Sequence, residues 1–90
     1  MAIEATPQKP FSGQIARVGT VLGGEPTVQG TRVPVRAIVL AHRLNPDIAR
    51  VHVAFPMLSN EDIDAALTFY HANHEEIDRY IVENEMNDEG

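Results

Sequence analysis

The chain has 90 residues, of which 43% are hydrophobic and none is Cys or Trp. This length fits one domain, and the lack of Cys excludes disulfides, thiolate metal sites and a cysteine nucleophile. The N-terminus has no apolar run long enough for a signal peptide or a membrane span. We therefore expect a soluble, cytoplasmic protein that does not contact membranes.

The formal net charge of −6 is unevenly distributed along the chain. Residues 1–59 carry six basic and three acidic side chains, whereas residues 60–90 carry one basic and ten acidic side chains. A basic front and an acidic back suggest two different partners. The alternative is that acidic side chains on surface helices simply keep a small protein in solution.

The N-terminal third predicts a flexible arm followed by a short β region. Residues 1–14 have no hydrophobic periodicity and contain two Pro, which indicates an arm. Residues 15–22 are rich in β-branched side chains and predict a strand. Gln29 and Gly30 then separate Thr27–Val28 from residues 31–33, and two residues ending in Gly between β-prone segments predict a tight hairpin. Residues 15–33 are thus the strand-and-hairpin part of the domain.

The rest of the domain, residues 34–84, predicts three to four helices. We expect a first helix over residues 35–44 and a second over residues 46–54, capped by Asn45 and directing Ile48 and Val51 inward. Ser59 followed by Asp62 predicts the start of a third helix through a capping box. A second cap signature predicts a break at residues 71–73 and a fourth helix over residues 74–84. Residues 85–90 are an acidic tail that we expect to be frayed.

Catalytic signatures are missing from the chain. It has no nucleophile elbow, phosphate-binding loop or zinc-ligand spacing. His71 and His74 lie three residues apart, but such a pair is more often solvated than metal-bound. We therefore predict no enzymatic activity, no catalytic residue, no metal and no cofactor.

Two stretches resemble a known family. The sequences GGEPTVQGTRVPV and NPDIARVHVAFPMLSNEDIDAALTFYHANHEEID are similar to those of the DUF433 family, over about residues 15–81. The resemblance implies a mainly α fold, a small homeodomain-like helix-turn-helix bundle with an N-terminal β-hairpin. It also implies an antitoxin of the VapBC type, whose cognate partner is a PIN-like ribonuclease toxin. Paired antitoxins of this kind often bind operator DNA as well.

DNA binding by such a bundle would need cations near the phosphates. The first residues of the second helix in a helix-turn-helix contact base edges, but here Glu61, Asp62 and Asp64 would repel phosphate. We therefore assign DNA contacts to the basic front, where Arg32 has the alternative role of pairing with an acid of the third helix. The candidate DNA-binding residues are Arg17, Thr31, Arg32, Arg36, Arg43 and Arg50.

Toxin binding is assigned to the C-terminal helices, with Tyr70, Ile77, Tyr80 and Ile81 as the candidate residues. Apolar anchors at this helical spacing among acids suit a groove on a basic partner, although the same stripe can fold back onto its own core. The expected function is an antitoxin that neutralises a PIN-like ribonuclease. The alternatives are a stand-alone DNA-binding transcriptional regulator and a structural or adaptor homodimer. We also expect the chain to form a homodimer, since exposed sheet edges favour pairing with a second copy.

Overall fold

A computed structural model describes residues 13–89, so that most of the predicted arm lies outside the described residues. The fold is mainly α with an N-terminal two-stranded antiparallel hairpin, which confirms the predicted class. The described elements are β1 (Ile15–Ala16), a 3-10 turn (Leu22–Gly24), β2 (Thr27–Val28), α1 (Val35–Leu44), α2 (Ile48–Ala54), α3 (Asn60–Ala72) and α4 (His74–Glu89).

The first strand is shorter than the sequence predicts, and a 3-10 turn follows it. The tight turn is present: the N–H of Thr31 donates to the carbonyl of Val28 at 3.0 Å, and Gly30 has φ +84°. A side chain would be strained at that angle, which explains the Gly. However, the strand predicted over residues 15–22 has only two residues, because the chain turns away and forms the 3-10 turn. β1 then pairs with β2, matching Ile15 with Val28.

The first two helices follow the predicted pattern with one correction. α1 has the predicted bounds, and it begins directly after Pro34. α2 begins at Ile48, and its cap is Asp47, whose Oδ1 accepts the N–H of Ala49 at 3.0 Å. Asn45, the predicted cap, instead donates its backbone N–H to Ala41 and closes α1. The prediction that Ile48 points inward is wrong, since it is 38% exposed.

The last two helices are separated at the predicted position. The Ser59 hydroxyl accepts the N–H of Asp62 at 3.1 Å, and the Asp62 carboxylate accepts the N–H of Ser59 at 3.0 Å, which is a complete capping box. Asn73 interrupts the helix, and its side-chain amide donates to the carbonyl of Phe69 at 3.0 Å. α4 continues to Glu89, five residues beyond its predicted end at residue 84.

Ten buried apolar residues form one core that every helix enters. Its members are Val28, Val35, Ile38, Val39, Val51, Leu58, Ile63, Ala66, Ile77 and Ile81. Among the residues whose side chains the structure describes, the contribution of α4 is Ile77 and Ile81, both from its first half. The helix is therefore anchored by its first half, and Val82, Glu83 and Glu85, which follow Ile81, are exposed. In the part of the chain that the structure describes, no helix has the length and apolarity needed to cross a membrane.

Candidate functional site

Arg17, a candidate for DNA contact, forms an ion pair within the chain. Its guanidinium donates two hydrogen bonds to the carboxylate of Glu76, one of them at 3.0 Å, and lies over the ring of Phe69. The hydrogen bond from Arg17 lowers the pKa of Glu76, and the carboxylate raises the pKa of Arg17. This contact fixes the end of β1 to α4 and neutralises one cation of the basic front.

Arg36, another candidate for DNA contact, is paired and largely buried. Its Nε lies 2.6 Å from Oε2 of Glu25, and the two side chains are 19% and 6% exposed. Neither atom forms an aligned hydrogen bond with the described residues, so the contact is held by charge. The pair joins the loop after the 3-10 turn to the first turn of α1. Because the pair is buried, we interpret it as a contact that holds the GGEP segment, residues 23–26, against α1.

Arg43 belongs to a polar network that joins three helices. Its Nη2 donates to the Tyr70 hydroxyl at 2.9 Å and to Oδ1 of Asp78 at 3.1 Å. The Tyr70 hydroxyl donates to the same Asp78 oxygen at 2.9 Å. The hydrogen bond with Tyr70 raises the pKa of Arg43. Arg43 and Tyr70, predicted to serve different partners, therefore contact each other across α1 and α3.

The remaining DNA candidates are two exposed arginines and a threonine that is bound within its own turn. Arg32 and Arg50 are exposed, and neither forms an ion pair with the residues that the structure describes. Thr31 is engaged in its own turn, where its hydroxyl donates to the Val28 carbonyl at 2.8 Å and accepts the N–H of Val33 at 3.1 Å. Of the predicted set, two arginines stay available to a ligand.

The helix-turn-helix segment presents acids at its second helix. α3 begins with exposed Asn60 and Glu61, while Asp62 is 1% exposed and its carboxylate accepts backbone N–H groups. Asp64 is exposed one turn along. Because DNA affinity depends on neutralising phosphate charge, these acids disfavour the base contacts that the motif makes elsewhere.

The predicted toxin-binding stripe faces the core of its own chain. Ile77 and Ile81 are buried, and Tyr80 is half-buried against them. The exposed side of α4 instead carries Glu75, Val82, Glu83 and Glu85. The sequence left open whether the stripe binds a partner or packs onto the core of its own chain. In this structure it packs onto the core.

Sequence reasoning missed an exposed apolar set around α2. Leu44, Val53 and Met57 are all more than half exposed. Val53 lies two residues after the buried Val51 and so on another face of α2, and this spacing is the signal that would have found it. No group of three or more His, Asp or Glu among the described residues is placed to hold a metal.

Comparison with known proteins places the chain in a family. A family model described as a protein of unknown function (DUF433) matches residues 15–70. The chain belongs to the DUF433 family. A crystal structure of a DUF433 member from Anabaena variabilis ATCC 29413 is 32% identical, covers 76% of this chain and 67% of that one, and has a TM-score of 0.70. No curated protein matches this DUF433 protein significantly. The family match ends within α3, so α4 lies beyond it.

Proposed function

We propose that this DUF433 protein is an antitoxin-like inhibitor that covers the RNA-binding cleft of a PIN-like ribonuclease with the second half of α4. The supporting observation is that this half is acidic and begins with exposed residues. Val82, Glu83 and Glu85, which follow the core residue Ile81, are exposed. Residues 82–89 include four acids and no Lys or Arg.

Physical chemistry explains why such a segment suits a basic partner. Eight helical residues are too few to form a stable helix in water on their own. Acids near the C-terminus of a helix also oppose its macrodipole, and α4 has no basic residue in its last turn. A cleft that binds RNA carries positive charge. Docking there would stabilise the short helical segment and would offset the unfavourable interaction of its acids with the macrodipole. The opposite charges would also speed the association of the two proteins. Inhibition requires only that α4 occupies the cleft in place of RNA, and no chemistry takes place on this chain.

A stand-alone DNA-binding regulator is less well supported. Arg17, Arg36 and Arg43 are neutralised within the chain, and the second helix of the helix-turn-helix segment begins with acids. Arg32 and Arg50 are the remaining cations that operator DNA would contact. A homodimer would most readily use the exposed apolar set around α2.

The test is inhibition of a PIN-like ribonuclease from the same organism, with RNA cleavage and calorimetric affinity as readouts. We expect the Glu83→Lys, Glu85→Lys double variant to bind at least about tenfold more weakly, a difference of about 1.4 kcal/mol. The control is Asp64→Lys with Glu75→Lys, which makes the same change in net charge at exposed positions outside residues 82–89. It should retain near wild-type inhibition.

Three outcomes would count against the proposal. Wild-type protein that leaves RNA cleavage unchanged would refute the antitoxin function. Equal losses in the two double variants would show that net charge, and not the second half of α4, determines binding. Salt-sensitive binding of operator DNA without ribonuclease inhibition, abolished by Arg32→Ala, would favour the regulator.

A further inference from the structure

α4 is held from two opposite sides by arginines. Ile77 packs into the core, and successive helical residues are about 100° apart, so its neighbours Glu76 and Asp78 lie on opposite flanks of it. Arg17, directly after β1, donates to Glu76 at 3.0 Å. Arg43, in the last turn of α1, donates to Asp78 at 3.1 Å. The seat of α4 is therefore a groove with an apolar floor and a cation on each side.

This groove is complementary to one sequence pattern. Residues 76–81 read Glu-Ile-Asp-Arg-Tyr-Ile. Ile77 and Ile81 lie one turn apart and are buried in the floor, while the two acids bind the cations. A second copy of the chain carries the same residues, so its α4 can form the same contacts in this groove.

A single residue joins α4 to the rest of the chain. α3 ends at Ala72 and α4 begins at His74, and Asn73 between them has the non-helical angles φ −135° and ψ 37°. Its side-chain amide donates to the carbonyl of Phe69 at 3.0 Å, which stabilises this conformation. Because one residue separates the two helices, helical angles at Asn73 would join them into one helix over residues 60–89.

A continuous helix would gain hydrogen bonds and lose contacts that a second copy restores. The first N–H groups of α4 and the last carbonyls of α3 have no partner within their own helix. In a continuous helix, the N–H groups of residues 74–76 donate to the carbonyls of residues 70–72. The 16 residues of α4 then extend about 24 Å beyond α3, with their apolar stripe in water. Two such copies bury both stripes when each α4 occupies the groove of the other.

We propose that this protein forms a two-fold dimer by exchange of α4, so that the helix of each copy occupies the groove of the other. The contacts of α4 with the core and with the two arginines are then formed between chains, and the exchange closes with two-fold symmetry. The short connection holds α4 at an effective concentration on the order of millimolar in its own groove, so wild-type dimer accumulates as the protein concentration approaches that range. The inference uses residues 73–81 and does not rest on ribonuclease inhibition.

Complementary charge reversals test the exchange in the full chain. Arg17→Glu with Arg43→Glu reverses the groove, and Glu76→Arg with Asp78→Arg reverses the helix. Each double variant alone brings like charges together, whereas exchange in a mixture of the two restores every pair. We expect a heterodimer in sedimentation of the mixture, and a gain of helical circular dichroism on mixing if either variant is unfolded alone.

The control for this mixture keeps the net charge and moves the reversed sites. Glu75→Arg with Glu83→Arg makes the same change in net charge as the helix variant, at exposed positions outside the pairs with Arg17 and Arg43. Mixed with the groove variant, this control should give at least about tenfold less heterodimer, a difference of about 1.4 kcal/mol.

Substitutions at Asn73 give a second measurement in which the arginine pairs are unchanged. Asn73→Ala and Asn73→Gly both remove the hydrogen bond to Phe69. Ala favours a helix interior over Gly by a factor of about five per residue. Asn73→Ala should therefore dimerise more tightly than the wild type, and at least about fivefold more tightly than Asn73→Gly.

Three results would overturn the proposal. Wild-type and Asn73→Ala proteins that both stay monomeric at about 1 mM would exclude exchange. Equal dimerisation of the Ala and Gly variants would show that the dimer does not need a continuous helix. A wild-type dimer without heterodimer in the complementary mixture would assign pairing to another surface, such as the exposed apolar set around α2, which requires no rearrangement.

Discussion

Replacing Glu25 by alanine removes one partner of the buried pair that joins the GGEP loop to α1. Its carboxylate lies 2.6 Å from the guanidinium of Arg36, and neither side chain is more than a fifth exposed. Removal of one member of a fully buried pair costs about 3–5 kcal/mol, because the other charge is left without compensation. Arg36 retains partial contact with water, so we expect a loss of about 2–3 kcal/mol in the free energy of unfolding.

Urea unfolding followed by circular dichroism measures this loss directly. With a slope of about 1 kcal/mol per molar urea for a small domain, the midpoint should fall by about 2–3 M. The control is Glu83→Ala, which breaks a pair with Arg79 at 3.9 Å in which both side chains are more than half exposed. That change should alter the free energy of unfolding by less than about 0.5 kcal/mol.

A double variant separates charge pairing from packing. Glu25→Leu with Arg36→Met replaces both charges by apolar groups, and such replacements of buried pairs are often neutral or stabilising. We expect this double variant to be more stable than either single replacement. If Glu25→Ala costs less than about 0.5 kcal/mol, or if the double variant loses the sum of the two single losses, the pair is not a buried unit and Arg36 regains its role as a DNA candidate.

Three further predictions concern the capping box, the tight turn and the Arg17 pair. Ser59→Ala removes the cap of α3 and should cost about 1 kcal/mol in urea unfolding; an unchanged midpoint would mean that other contacts start the helix. Gly30→Ala places a side chain at φ +84° and should cost about 1–2 kcal/mol, whereas Gly19→Ala, with open space around its Cβ, should be nearly neutral; equal losses would refute the argument. The pKa of Glu76 is lowered in the folded state by its hydrogen bond with Arg17, so its contribution is complete above the unfolded pKa of about 4.3 and is lost as the pH falls further. Arg17→Gln should therefore flatten the acid limb of a plot of stability against pH, and an identical limb in both proteins would exclude the pair as its source.

Local signals account for the parts of the fold that the sequence predicted well. The capping box at Ser59, the break at Asn73 and the turn at Gly30 each depend on a few adjacent residues. The predicted start of α2 was wrong because Asn45 and Asp47 both have side chains that cap helices. The competing signals were two residues apart, and in the structure Asn45 ends α1 while Asp47 caps α2.

The candidate site was harder to predict because its chemistry depends on distant pairs. Helical periodicity shows that Ile77 and Ile81 share a face, but it does not show whether that face meets the chain's own core or a partner. Glu76 is separated from Arg17 by 59 residues and Asp78 from Arg43 by 35. Charge composition correctly separates a basic front from an acidic back, yet only the fold shows that they neutralise each other.

The late position of α4 has a consequence for synthesis of the protein. A nascent chain that has reached Ala72 lacks Ile77 and Ile81, and it also lacks the carboxylates that pair with Arg17 and Arg43. The earlier elements therefore leave part of the core uncovered until α4 has been synthesised. Cleavage of the chain at Asn73 would separate the two parts and expose the apolar groups that Ile77 and Ile81 cover.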